Sequence, residues 1–281
     1  MCEDASEERN LFARTRERTA AYVASDLGVV RVDLGPDRIG EFSLVERCSA
    51  RGVAASDALI TVATPDDVLL DRGDGFADAG FGAATAVGID GEMVYAGAPD
   101  GEVGRLDASG ESAGGWTSVG TVEEPRRFDG PLLAAGDGVY RVDDGLESLG
   151  LDGAQDVAAA GPYAATEDGL FRLTDGGWRR EHDGAASVVV ADGERAHAVG
   201  EARVLERVGG DSTGDAAVWE PLATPGSARP VDLAYGACLY AVTEAGEFLL
   251  AAQEEQTTDG QGGWRTRTLG IRGVTGLAAL G

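Results

Sequence analysis

Asp156-Val157-Ala158-Ala159-Ala160, Tyr163-Ala164-Ala165-Thr166, Leu170-Phe171-Arg172-Leu173 and Trp178-Arg179-Arg180-Glu181 are four short runs packed into 26 residues, and their reading decides the fold. Glu167-Asp168-Gly169 and Asp175-Gly176-Gly177 stand between the later runs, each with the Gly that supplies the positive φ of a tight hairpin. No run reaches the ten or so residues of an amphipathic helix. Four antiparallel strands joined by tight turns make one blade of a propeller.

The third run of this unit recurs along the chain. It returns as Leu27-Gly28-Val29-Val30-Arg31-Val32, Asp67-Val68-Leu69-Leu70, Glu102-Val103-Gly104-Arg105-Leu106, Asp137-Gly138-Val139-Tyr140-Arg141-Val142, Ala202-Arg203-Val204-Leu205 and Gly246-Glu247-Phe248-Leu249-Leu250. From Val29 to Phe248 the six intervals average 36.5 residues, inside the range of solenoids, propellers and arrays. The first unit opens at Ala21-Tyr22-Val23-Ala24 without an innermost strand, and Val274-Thr275-Gly276-Leu277-Ala278-Ala279-Leu280 is left over at the end. The reading is therefore all-β: a seven-bladed β-propeller over residues 20–281, four antiparallel strands per blade, closed by the C-terminal strand completing the first blade, with 1–19 as a charged N-terminal extension. Closure removes sheet edges that would otherwise template aggregation.

Gly114-Gly115-Trp116, Gly176-Gly177-Trp178 and Gly262-Gly263-Trp264 place a Trp at the fourth strand, with Trp219 in the matching place of the sixth unit, and packing between blades is expected of all four. The long turns 209–215 and 254–261 are expected to be solvated insertions on one face.

The net charge is −26, and all 23 basic residues are Arg. Such charge repels nucleic acid and anionic lipid, so neither is expected as a partner. Acidic residues spread through the whole chain suit a surface tuned to concentrated salt, which screens the self-repulsion. Cys2, Cys48 and Cys238 are too scattered for a disulfide framework, the start Met1-Cys2-Glu3-Asp4 is acidic where an export signal is basic then apolar, and no apolar run approaches a membrane span. A cytoplasmic protein without cofactor or metal is expected.

In Ala21-Tyr22-Val23-Ala24-Ser25, Gly28-Val29-Val30-Arg31-Val32 and Arg47-Cys48-Ser49-Ala50-Arg51 the chain resembles the haloarchaeal β-propeller proteins of unknown function. The resemblance spans nearly the full length and implies a fold and a salt-rich cytoplasm. It implies no activity.

Propellers place sites at the mouth of the central channel. Aligning inner strands on Val53, Val157, Val188, Val231 and Val274 puts Arg51, Arg229 and Arg272 two positions earlier, on neighbouring blades of the closed ring. Guanidinium groups fork onto carboxylates and phosphates, so the three form a candidate anion site. Arg47 and the pair Arg126-Arg127 lie close to equivalent segments. The other reading is that each Arg pairs with an acid such as Asp232, Glu46 or Asp57 and ties blades together. His182, in Glu181-His182-Asp183-Gly184, reads as a turn residue near the same mouth, a candidate base or a solvated surface group. His197 reads as structural, Cys48 beside Arg47 as a possible activated thiol, and Cys238 as core.

Calcium-dependent lactonase-like propellers use inward Asn and acidic ligands, but Asn10 is this chain's single Asn. Sialidase-like propellers also group three Arg, but their Ser-x-Asp-x-Gly-x-Thr-Trp turn is missing here. No residue is assigned a catalytic role. The expected function is a binding or scaffold module for a protein partner or small anion. The alternative is a propeller hydrolase or lyase acting on an anionic substrate at the channel mouth.

Overall fold

The computed structural model describes residues 19–35, 37–110, 115–193, 195–210, 217–251 and 263–280. Among them 28 strands form seven four-stranded antiparallel sheets. The first sheet runs β28 (Val274–Ala279), β1 (Ala20–Ser25), β2 (Gly28–Gly35), β3 (Arg38–Glu46), so the last strand of the chain is the innermost strand of the first blade. The other inner strands are β4 (Gly52–Ala55), β8 (Ala86–Asp90), β12 (Arg127–Asp129), β16 (Ala154–Ala158), β20 (Ala186–Ala191) and β24 (Pro230–Tyr235). Of the extension 1–19 only Thr19 is described, and its carbonyl accepts from Leu34 N–H. Most of both long turns also lies outside the described residues.

The composition follows from how blades stack. The second strand of a blade lies between two neighbouring sheets, and β1, β5 (Ile60–Ala63), β13 (Leu132–Ala135), β17 (Tyr163–Thr166), β21 (Ala196–Gly200) and β25 (Leu239–Thr243) are buried at every position. Ala and Val fill that narrow space, which explains a chain rich in small apolar residues and poor in aromatics. The core consists of successive blade-to-blade clusters, such as Tyr163 and Leu170 against Val189, Ala198 and Leu205, or Tyr240, Phe248 and Leu250 against Val23, Val30 and Leu277. Burying a ring such as Phe248 stabilises by roughly 1.5–3 kcal/mol.

The recurrent Gly at the head of the third strand has a steric cause. Gly169 (φ +149°) opens β18 (Gly169–Thr174), and a Cβ there would lie 2.1 Å from the carbonyl oxygen of His182 on β19 (Gly177–Asp183). At Gly28 the same atom would meet the carbonyl of Glu46 at 1.9 Å. Each Gly lets the fourth strand press against the turn, beside a bulge between third and fourth strands.

The Trp residues join blades as the sequence suggested. Indole N–H groups of Trp116, Trp178 and Trp264 donate to the carbonyls of Ala79, Leu149 and Ala223 in the preceding blade at 2.8–2.9 Å. Trp219 is buried edge-on against Tyr163 of blade five. At that joint Arg207 instead bonds the buried Glu181 at 3.0 Å.

Candidate functional site

The seven inner strands run in one direction, so one face of the ring carries their starts and the other their ends. Strand register identifies one level of the channel at which the seven blades present Gly52, Ala86, Arg127, Asp156, Val188, Asp232 and Gly276. Three small residues clear the room that the long Arg127 side chain uses. Its Nη2 reaches from blade four to Asp232 of blade seven, 2.9 Å away, and a Cβ on Gly276 would stand 3.5 Å from its Nη1.

Both carboxylates are built into backbone. Asp232 accepts from Leu233 N–H in its own strand and from Leu277 N–H in the next blade, at 2.9 and 2.7 Å. Asp156 repeats the device, accepting from Val157 and from Val189 of the next blade, each at 2.9 Å. One guanidinium thus serves two buried carboxyls. Burial pushes the Asp156 carboxyl up to about 7, with Arg127 opposing and Asp232 reinforcing the shift. Burial also works against the charge of Arg127, but Asp232 and Asp156 outweigh it and hold the group firmly protonated. Asp129, whose carboxylate accepts from Ala159 N–H at 2.6 Å, is likewise raised by burial.

Beyond this floor a cavity of about 250 Å³ is lined by the later parts of the inner strands, including Ala55, Ile89, Asp129, Val190 and Tyr235. Tyr235 bonds Nδ1 of the buried His197 at 2.5 Å, and the guanidinium of Arg195 stacks over its ring. Burial, aided by Arg195, lowers His197 to about 4, and burial raises Tyr235, so both are neutral around pH 7. His197 is structural, as its place in a second strand suggested.

The arginines singled out in the sequence separate into two groups. Arg51, Arg229 and Arg272 are all exposed, on three consecutive blades, on the face where inner strands start. The three do not share one slot, however. Val274 lies opposite Ser25 as Ala154 lies opposite Thr166, whereas Val188 lies opposite Val199 as Asp156 lies opposite Ala165. Register shifts at the heads of β24 and β28, with none in β4, insert residues that an alignment on Val does not register. The arginines are therefore staggered in level. Arg51 has one long contact, Nη1 to the carbonyl of Ala84 at 3.5 Å, and none of the three is ion-paired among the described residues. Asp232, suggested as a partner for one of them, is taken by Arg127.

Arg127 does not extend that arc, because it is the plug of the channel. Arg47 is exposed, one residue beyond the end of β3. His182 is no mouth residue: it sits half-buried on β19, the outermost strand of blade five, opposite Leu170. Cys48 is not an activated thiol, since burial and Glu46 both raise its pKa. Cys238 is buried, as expected. Sequence reading named Asp232 as an acid that pairs with an Arg, without identifying Arg127 as its partner, and gave Asp156 and Asp129 no role, although an Asp inside an otherwise apolar strand, as in Pro230-Val231-Asp232-Leu233-Ala234, was a signal. No group of His, Cys, Asp and Glu suited to a metal ion occurs among the described residues.

A closed ring of seven four-stranded sheets whose channel is crossed by an ion pair defines a seven-bladed β-propeller. The family model described as HVO_0234-like, beta propeller, matches residues 5–280, and the chain belongs to that family. No curated protein matches it. Among solved structures it is similar to U3-55K, with TM-score 0.60, 10% identity and coverage of 93% of this chain and 95% of that one. YCF48 bound to D1 peptide gives 0.58, 14%, 80% and 84%. Apo AztD from Citrobacter koseri gives 0.54, 10%, 93% and 98%. Identities this low speak for the fold alone.

Proposed function

We propose that the chain is a binding or scaffold propeller of a salt-rich cytoplasm, docking an acidic protein segment or small anion on the face where the inner strands begin. The observation that carries this reading is the arc of Arg51, Arg229 and Arg272: exposed, on consecutive blades, and without ion pairs among the described residues. Nine other described arginines are ion-paired, as in Arg105–Asp144 at 2.6 Å and Arg141–Glu147 at 3.1 Å. Others such as Arg38 and Arg203 are not, so it is the grouping of the three on consecutive blades that sets them apart. In a chain of charge −26, three exposed guanidiniums gathered on consecutive blades of one face, with no ion pair among the described residues, favour a ligand over a structural tie. That YCF48, a structure of the same fold, is bound to a peptide is in keeping with this role.

The test is a thermal-shift screen in concentrated KCl against carboxylates, phosphates, nucleotides and sugar acids. A ligand should raise the melting temperature of the parent and not of the Arg51→Ala/Arg229→Ala variant, because binding stabilises the folded state by mass action. Absence of any shift, with the variant less stable than the parent, would sink the proposal and return the arginines to a structural role. Turnover of a bound anion would favour the enzyme alternative.

A further inference from the structure

The outermost strand of every blade is a sheet edge, and most of them carry features that blunt it. β7 (Phe76–Asp78) has three residues, β11 (Thr117–Thr121) contains Gly120, and β15 (Leu146–Gly150) carries Glu147. β19 carries Arg179 and Arg180, β23 (Val218–Leu222) contains Glu220 and Pro221, and β27 (Trp264–Thr268) carries Arg265 and Arg267. Short length, charge and Pro are the means by which proteins keep edges from pairing.

β3 carries Gly40, Glu41 and charged ends of its own, but it adds to them an uncharged, exposed run. It is nine residues long, the longest of these edges, and Glu41 to Val45 are exposed without interruption. Phe42, Leu44 and Val45 are 36%, 37% and 39% accessible, and they lie together in the uncharged run Phe42-Ser43-Leu44-Val45. Arg267 of blade seven covers part of Phe42, with its guanidinium 5.2 Å from the ring centre.

The ends of the strand say what fits it. Arg38 and Glu46 stand four positions either side of Phe42, and Arg38 is exposed with no ion pair among the described residues. An antiparallel copy of the same strand, related by a two-fold axis at Phe42, sets Arg38 against Glu46 twice. With its bulges counted, the same register sets Ile39 against Leu44, and Phe42 against itself. Bulges opposite β2 confine the regular ladder to Phe42–Leu44, so side chains supply most of the contact. We propose that β3 is a self-complementary edge through which two copies of this chain form an isologous dimer, joining two blades into one eight-stranded sheet.

Sedimentation velocity in about 0.15 M KCl, where the Debye length of ~8 Å leaves close charge pairs effective, tests this over protein concentrations from about 1 to 200 µM. The parent should show a concentration-dependent monomer–dimer equilibrium. Arg38→Glu, which opposes like charges at both ends, should raise the dissociation constant about tenfold or more. The charge swap Arg38→Glu/Glu46→Arg should return it to within about threefold of the parent, and Leu44→Lys should be monomeric with an unchanged melting temperature. A parent that stays monomeric, a dimer indifferent to Arg38→Glu, or a swap that fails to restore pairing would each overturn the proposal.

Discussion

Asp156 shows how one side chain can join two blades and still carry a cost. Its carboxyl accepts from two backbone N–H groups yet shares a single guanidinium with Asp232, and burial lifts it to about 7. An unfolded Asp titrates near ~3.9, so folding takes up a proton between about pH 4 and 7. The native state is thereby favoured at the acid end of that window, loses stability as pH rises through it, and bears the full penalty above 7. Asn resembles the protonated form. Urea unfolding should therefore find Asp156→Asn close to the parent at pH 5 and more stable at pH 8, by up to a few kcal/mol at ~1.4 per unit. A variant equally destabilised at both pH values would show that ionisation of Asp156 does not govern the channel. Asp156 and Asp232 were legible as anomalies in apolar strands. Their partner was not, because Arg127 lies three blades from Asp232 and only closure of the ring makes them neighbours.

Among elements, the third strand and its turn were the most legible, because alternation and a Gly recur together. The Gly is required by the fourth strand rather than by the turn alone. Gly169→Ala would drive a Cβ into the His182 carbonyl, with backbone rather than a flexible side chain in the way, and would strain φ +149° as well. It should cost several kcal/mol by thermal or urea unfolding, whereas Gly145→Ala, which meets nothing within 4 Å, should stay within about 0.5 kcal/mol of the parent. Equal effects at the two sites would refute the steric account. The fourth strands were less legible. His182 looked like a turn residue because the bulge at Leu170/Phe171 lets β19 run on to Asp183. Bulges at the heads of inner strands likewise staggered arginines that looked aligned, since an inserted residue changes register without changing hydrophobic pattern.

For the whole molecule, the covalent order of the chain leaves blade one incomplete until its last residues arrive. β28 pairs with β1 along Ala21–Ser25, contributes Val274 and Leu277 to the cluster shared with blade seven, and offers Leu277 N–H to Asp232. Asp232 in turn holds Arg127, so the closing strand and the channel plug form one connected structure. Blades that bury their apolar faces only against neighbours need both neighbours present. A chain ending at Gly273 would expose the edge of β1, leave Asp232 without one of its two backbone donors, and open the joint between blades seven and one. Such a chain should lose the single cooperative unfolding transition of the parent and aggregate at concentrations where the parent does not. A synthetic peptide covering 270–281, added in trans, should restore the transition in proportion to its concentration, because binding to the native ring alone stabilises it by mass action. If the truncated chain melted as the parent does, closure would be ornamental, and the cross-channel pair of Arg127 and Asp232 would have to hold the ring unaided.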